Sequence, residues 1–447
     1  MRWSGLQRAL TRVPPSAAEF PVDRATVAGI LAAAGAENRA MLTEPEAKSV
    51  ISAYGVPTPE IAIARSDDEV AEIARRMLEN HKAIVLKIYS RTITHKSDIG
   101  GVVLDIRSVD AALEAAAAIR ARLDEASPGT IPEGFSIQPM IARPSAHELN
   151  AGMHLDQSFG PTLLFGAGGT SVEIVDDTAT GLAPLDAVLA GDMIEATRVG
   201  RLLAGYRDRP AADREAIVRA MLGLSQLTVD FPAIRGIDIN PLLADDRGVM
   251  ALDARIEIDP ARATDGPPNP LLAIRPYPSG WEKTVTPEKT SFVLRPSRPA
   301  AAELFPAFMA RIEPEDLRLR FLSPLKALSP RMMVQLTQLD YDRDIAFLAL
   351  EVGNGDMAGV VRYSSDPDHE AAEFGVLVRS DLHGRGLGTA LMRQLVDYAR
   401  ADGLQRLDGL ILRENARMVT LCQELGFAIE PDPDDPNLVR ARLPIAR

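Results

Sequence analysis

The sequence predicts an α/β protein with two domains in series, and three features carry that expectation. From residue 36 to 257, short runs rich in Val, Ile and Leu alternate with segments of helical period. Between 258 and 290, seven prolines (260, 267, 268, 270, 276, 278 and 287) interrupt every periodic pattern and mark a linker. From 291 to 447 the alternation resumes over a length suited to one further domain.

Taken in order, residues 1–35 form an N-terminal segment broken by Pro14 and Pro15 and closed by an alanine-rich helix, Arg24–Ala34. Thr43 and Glu46 have capping-box spacing for a helix Glu44–Tyr54, which Gly55 ends. Apolar runs at Ala83–Tyr89 and Gly101–Ile106 read as strands, and Asp110–Leu123 reads as a helix. Phe135–Ile141 and Pro161–Gly168 add strands, and helices rich in Leu, Met and Arg fill Asp186–Leu227. Gly236–Leu243 and Val249–Ile256, separated by the turn composition ADDRG, read as a hairpin. Beyond the linker, Ser291–Pro296, Asp344–Glu351, Gly359–Ser365, Phe374–Val378 and Arg406–Leu412 read as strands, with helices at Leu387–Asp402 and Ala416–Leu425. The acidic stretch EPDPDDPN (430–437) reads as a solvated loop.

Composition narrows the function classes. The formal charge is −13, from 49 basic and 62 acidic residues, so non-specific binding to nucleic acid is disfavoured and no nucleic-acid or membrane partner is expected. No run approaches the ~20 apolar residues of a membrane span, and MRWSGLQRALTRVPP lacks the apolar core of a signal peptide. A single cysteine, Cys422, leaves no intrachain disulfide and no thiolate metal cluster, which suits a reducing cytoplasm.

The chemistry concentrates in EFGVLVRSDLHGRGLGTAL, Glu373 to Leu391. A short strand leads through a glycine-rich loop into a helix start. Unpartnered N–H groups there face outward, and the helix dipole favours an anion such as a phosphate diester. Glycine lets the oxygens approach those amides closely. A turn of this kind is common, and the surrounding residues decide its meaning.

A second motif, LRENARMVTLCQELGF (Leu412–Phe427), stands in register behind the first. Together they resemble the GNAT acyltransferase superfamily over roughly Ser291–Arg447. The resemblance implies a mixed-sheet domain that binds acetyl-CoA. The strand backbone at Val376 and Val378 would bond the pantetheine amides. The amides around His383, Gly384, Arg385, Gly386, Leu387 and Gly388 would hold the pyrophosphate, and the Asn415 side chain would touch the pantetheine arm. An amine with pKa near ~10.4 must lose a proton before attacking a thioester, and the resemblance places the general base at Glu373, with Glu370 as fallback. Two positions depart from the pattern. His383 stands where many members carry Gln or Arg, and Cys422 stands where many carry a tyrosine as general acid, so the acid is left open.

The first domain carries VLKIYSRTITHKSDIGGVVL (85–104), EL and AG at 148–152, FGP at 159–161, FGAGG at 165–169, DINPLL and ALDAR. These resemble the ATP-grasp domain of NDP-forming acyl-CoA synthetases over roughly Ala36–Ile256. The resemblance implies ATP and Mg²⁺, with Lys87 on nucleotide phosphates, Lys96 nearby, Glu148 at an acidic position of uncertain role, and Asn240 and Asp253 on facing hairpin strands as magnesium ligands. Hard oxygen ligands of this kind are what Mg²⁺ takes. His95 stands where synthetases place a phosphate-relaying histidine. With the resemblance starting near Ala36, acyl-CoA synthesis by this chain alone is not expected.

The order of the two parts, with TQLDYDRDIAFLAL (337–350) ahead of the acid-bearing strand, resembles the C-terminal portion of bacterial Pat-type protein lysine acetyltransferases. That implies acetyl transfer to lysine side chains of a protein partner, with the ATP-grasp part as a nucleotide-binding module. Two alternatives remain open: an ATP-grasp subunit of an NDP-forming acyl-CoA synthetase working with a separate ligase chain, and a non-catalytic ligand sensor.

Overall fold

The computed structural model describes residues 21–90, 100–126, 132–169, 177–205, 209–267, 269–323, 332, 336–337 and 339–445. The chain divides into two compact units between Ala273 and Ile274.

The first unit runs α1 (Arg24–Ala36), α2 (Glu44–Ser52), β1 (Ala62–Ala64), α3 (Asp67–Asn80), β2 (Ile84–Tyr89), β3 (Val102–Ile106), α4 (Val109–Ala126) and β4 (Gly134–Pro139). It continues through β5 (His147–Asp156), β6 (Gly160–Ala167), β7 (Thr178–Leu182), α5 (Ala187–Ala196), α6 (Arg198–Leu203), α7 (Arg214–Asp230), β8 (Ile234–Asp245), β9 (Gly248–Ala251) and β10 (Arg255–Ile258). Two antiparallel sheets result, ordered β1-β4-β2-β3 and β10-β8-β5-β6-β7, with β9 pairing β8. Each has its own apolar core. The smaller sheet packs Ile84, Leu86 and Ile137 against α3 and α4, and the larger packs Leu149, Phe165 and Ile239 against α7.

Local rules place the element that matters most here. Thr43 and Glu46 form the expected capping box, the Thr43 amide donating to Glu46 Oε2 at 2.7 Å, and so fix where α2 starts. Gly55 follows in the left-handed region at φ 79°. The expected second strand of the C-terminal hairpin, 249–256, is in fact two short strands. β9 pairs with the Leu242–Asp245 end of β8 and β10 with its Ile234–Asp238 end, and the chain leaves the ladder between them.

The second unit runs β11 (Lys283–Val285), β12 (Phe292–Pro296), α8 (Phe305–Met309), α9 (Pro314–Phe321), β13 (Asp344–Glu351), β14 (Met357–Ser365), β15 (Ala371–Val378), α10 (Leu387–Ala401), β16 (Arg406–Leu412), α11 (Ala416–Glu424), β17 (Ala428–Pro431) and β18 (Leu438–Pro444). They form one eight-stranded sheet, β11-β12-β13-β14-β15-β16-β18-β17, antiparallel except where β15 and β16 run parallel. The core centres on Phe347, Leu391, Leu395 and Tyr398. The stretch read as a solvated loop is partly structured: Glu430 and Pro431 belong to β17, and buried Asp432 accepts from Arg440 Nε at 2.6 Å. The proline-rich stretch is also built in. Asn269 donates to the Thr228 carbonyl in the first unit, and Tyr277 packs into the core of the second.

Candidate active site

The parallel pair β15/β16 is short. Register runs only from Ala371↔Arg406 to Glu373↔Asp408, after which the strands part. The opening is a cleft of about 600 Å³ lined by Phe374–Val378, Leu382–Gly384, Gly386–Thr389, Leu410–Ile411 and the start of α11. Phe374 wedges its base. Its ring occupies the space a Cβ at Gly409 would need and meets Phe427 edge-on at 5.1 Å.

Strand alternation decides which backbone groups face the cleft. The Arg379 amide donates to the Ala358 carbonyl of β14 at 2.9 Å, so the odd-numbered amides of β15 point to β14. Those of Val376 and Val378 therefore point into the opening, unpaired by any strand. In the loop beyond, Gly384 and Gly386 sit at φ 73° and 78°, a region side chains other than glycine rarely adopt. No hydrogen-bond partner is found among the described residues for the amides of Gly384, Arg385 and Gly386. Leu387 and Gly388 open α10 with first-turn amides that have no helical acceptor. The Arg385 side chain is exposed and outside the cleft lining.

His383 is more committed than its expected role suggests. Arg417 Nη1 donates to His383 Nδ1 at 2.7 Å, and Nε2–H then donates to the Val378 carbonyl at 3.2 Å. Both ring nitrogens are occupied, so the anion contact at this corner falls to Arg417, a residue the sequence reading did not single out. Asn415 caps α11, its Oδ1 accepting from the Met418 amide at 3.1 Å, which leaves its NH₂ for the cleft.

Side chains 373, 375 and 377 share one face of β15. That face meets α9, because a Cβ at Gly375 would overlap the Arg320 guanidinium. Glu373 is exposed there, one residue past the innermost lining residue, with no hydrogen-bond or ion-pair partner among the described residues. Glu370 sits back in the turn before β15, tied by its amide to Asp366. Cys422 is fully buried, outside the cleft lining, and burial pushes its thiol up to about 12. It is a core residue.

In the first unit, Lys87, Asn240 and Asp253 converge on one cavity of about 360 Å³. Asp253 lies in the break between β9 and β10 rather than on a strand facing Asn240. Two further residues on this cavity, Glu44 and Gln138, were not foreseen. Glu44 Oε1 accepts from Lys87 at 2.6 Å and from Lys48 at 2.9 Å, and Lys48 also reaches Gln138 at 2.7 Å. Burial, ahead of every other cause, pulls the Lys48 amine down to about 8. The one available signal was Glu44 and Lys48 at i,i+4 spacing. Glu148 lies outside this cavity, against Gly169. Lys96 and His95 lie outside the described residues.

The donor sets can be tested against the expected ligands. The cleft offers free amides and a cation where a pyrophosphate needs them. In the other unit, Asn240 Oδ1 already accepts from the Gly169 amide at 2.9 Å, and Lys87 approaches Asp253 at 3.8 Å. That leaves a carboxylate and a carboxamide oxygen. No group of three or more His, Cys, Asp or Glu among the described residues could hold a metal ion. Such a pair suits Mg²⁺ only when phosphate oxygens and water complete the shell.

Strands that pair and then part over a bed of free amides define an acetyl-CoA-dependent N-acetyltransferase domain, carried behind a nucleotide-grasping one. The chain belongs to the ATP-grasp family, whose domain matches residues 33–258, just over half of its length, and residues 314–427 match the acetyltransferase (GNAT) family. These matches bring ATP to the first unit and acetyl-CoA to the second. The first part is 36% identical over 227 residues to the beta subunit of an ADP-forming acetate–CoA ligase from Pyrococcus furiosus, covering 51% of this chain and 95% of that protein. The last part is 35% identical over 153 residues to a Pseudomonas aeruginosa acetyltransferase, covering 34% of this chain and 82% of that one. A solved Pyrococcus horikoshii structure superposes at TM-score 0.50 and 31% identity, over 53% of this chain and all of that one. The chain spans only 30% of an ADP-forming acetate–CoA ligase from Archaeoglobus fulgidus. No helix among the described residues is long and apolar enough to cross a membrane.

Proposed function

We propose that this protein acetylates lysine side chains of other proteins, with Glu373 as general base and the first unit as a nucleotide-binding regulatory module. Acetyl-CoA supplies the thioester whose acyl carbon is attacked. The amides of Val376 and Val378 hold the pantetheine, those of Gly384–Gly388 with Arg417 hold the phosphates, and the Asn415 amide group steadies the arm between. Glu373 takes the proton that the incoming ammonium must lose, an effect worth typically ~10²–10⁴ in rate. The observation that carries this role is an exposed, unpartnered carboxylate on the α9 face at the inner end of the cleft. The protein acceptor rests on the domain order, which resembles Pat-type lysine acetyltransferases. It is tested by incubating the chain with labelled acetyl-CoA, candidate metabolic enzymes and free amines. Label on protein lysines supports the reading. Label confined to free amines removes the protein acceptor.

A second reading has its own support. The match over 95% of a ligase beta subunit, with Lys87, Asn240 and Asp253 on one cavity, favours an ATP-grasp subunit that works with a separate CoA-ligase chain. Nucleotide- and phosphate-dependent CoA-thioester turnover, appearing only when such a partner is added, would establish it.

A further inference from the structure

One cation in the second unit has no assigned work. Arg320, on the last turn of α9, lies with its guanidinium against the backbone of Gly375, where only glycine leaves room for it. It lines the cleft on one side. On the other it lines a small apolar pocket bounded by Phe305, Phe308, Phe321 and Val360. No hydrogen-bond acceptor or ion-pair partner for it is found among the described residues. The charges it feels are Arg362, itself bonded to Asp344 at 3.0 Å, and Glu373 beyond ion-pair distance. Burial, with Arg362 acting the same way and Glu373 opposing, pulls this guanidinium down to about 10.

A partly buried guanidinium that has the Phe321 ring 5.3 Å away but no hydrogen-bond acceptor is costly, and such groups concentrate where a ligand supplies the missing charge. The position defines which ligand. Gly375 is three residues, about 10 Å of strand, from Val378 and the phosphate-holding loop, so the CoA phosphates are engaged elsewhere. Arg320 stands at the inner end, where β15 has just parted from β16, and where the acyl group of a thioester lying along the cleft from the phosphate-holding loop would end. A planar fork of donors there matches a carboxylate.

We propose that the cleft accepts acyl groups ending in a carboxylate, the CoA monothioesters of short dicarboxylic acids, and that Arg320 binds that carboxylate. In the transfer, the amine nitrogen lone pair attacks the thioester carbonyl carbon and a C–N bond forms. The C–S bond breaks and sulfur leaves with the electron pair. Glu373 takes the proton that the ammonium loses before attack, the second proton that nitrogen sheds on becoming an amide passes through water to the thiolate to give free CoA thiol, and the terminal carboxylate passes unchanged into the product amide. The proposal rests on acyl-CoA occupying this cleft and is independent of the acceptor.

The test is calorimetric binding of succinyl-CoA and butyryl-CoA, equal in chain length and different in terminal charge, to the full chain and to Arg320→Leu. The native protein is expected to favour succinyl-CoA by about ten- to a hundred-fold, the range of a charge-assisted hydrogen bond. In Arg320→Leu the ratio is expected to fall to about one, with partial recovery in Arg320→Lys. Equal affinities in the native protein overturn the proposal whatever the variants do, which covers a variant that does not fold. A succinyl preference that survives Arg320→Leu in a folded protein overturns it as well. Failure of both thioesters to bind removes the cleft assignment itself, a result distinct from equal binding.

Discussion

Arg417 on α11 donates to Nδ1 of His383 at 2.7 Å, and this contact joins the two sequence motifs across the mouth of the cleft. It fixes the ring so that Nε2–H meets the Val378 carbonyl, and Arg417 itself lines the same cleft as the loop amides. Arg417→Ala is therefore expected to raise the KM for acetyl-CoA by roughly ten-fold or more, the loss of a charged hydrogen bond. Turnover at saturation is expected to be little changed, because Arg417 is remote from the reacting carbon. Steady-state kinetics over a range of acetyl-CoA concentrations separates the two effects.

Gly386 is the residue before α10 and sits at φ 78°. An alanine there is expected to cost about 1 kcal/mol from its left-handed backbone and to turn the neighbouring amides away from the phosphates. A lowered melting temperature together with weakened acetyl-CoA binding is the expected pair of outcomes. Unaltered binding would mean that these amides do not hold the cofactor.

Cys422 lies in the core, with its thiol pushed up to about 12 by burial. Native protein is expected to resist alkylation near neutral pH and to react once unfolded, since a buried protonated thiol is inert. Cys422→Ala is expected to lose stability, by roughly 1–2 kcal/mol for a small buried side chain, while keeping acetyl transfer. A large fall in turnover in a folded variant would restore the thiol as a general acid.

The Lys48 amine gives a pH dependence of known sign. The folded chain releases this proton near 8 and the unfolded chain near the ordinary 10.5, so the unfolded state binds more protons between those values. Lys48 therefore weighs most heavily against stability below about 8, and its contribution improves as pH rises through the window. The difference in unfolding free energy between native protein and Lys48→Met is expected to shift in favour of the native chain by on the order of 1–3 kcal/mol across it. Denaturant unfolding curves for both proteins at several pH values read this directly. Parallel behaviour would show that the amine titrates normally.

Much of the architecture was legible because it is local. The capping box at Thr43, the strand Asp344–Glu351, the strand Arg406–Leu412 and the start of α10 at Leu387 follow from side-chain periodicity and turn chemistry. What was not legible depends on partners far away in sequence. The run Val249–Ile256 looks continuous, yet β8 offers it two separate stretches of ladder, so Asp253 falls in the gap between them. His383 was expected to contribute through its backbone, and only the fold brings Arg417, 34 residues away, onto its ring. Arg320 carries no sequence signal at all. Its meaning comes from Gly375, which is a plain strand glycine until α9 is laid across it.

The central claim is that Glu373 removes the amine proton in a cleft that holds acetyl-CoA. It is tested most directly by following labelled acetyl transfer at saturating acetyl-CoA for the native chain and Glu373→Gln, with acetyl-CoA binding measured alongside. The expected result is a fall in turnover of about 10²–10⁴ with binding retained. Turnover unchanged in a folded Glu373→Gln protein would contradict it.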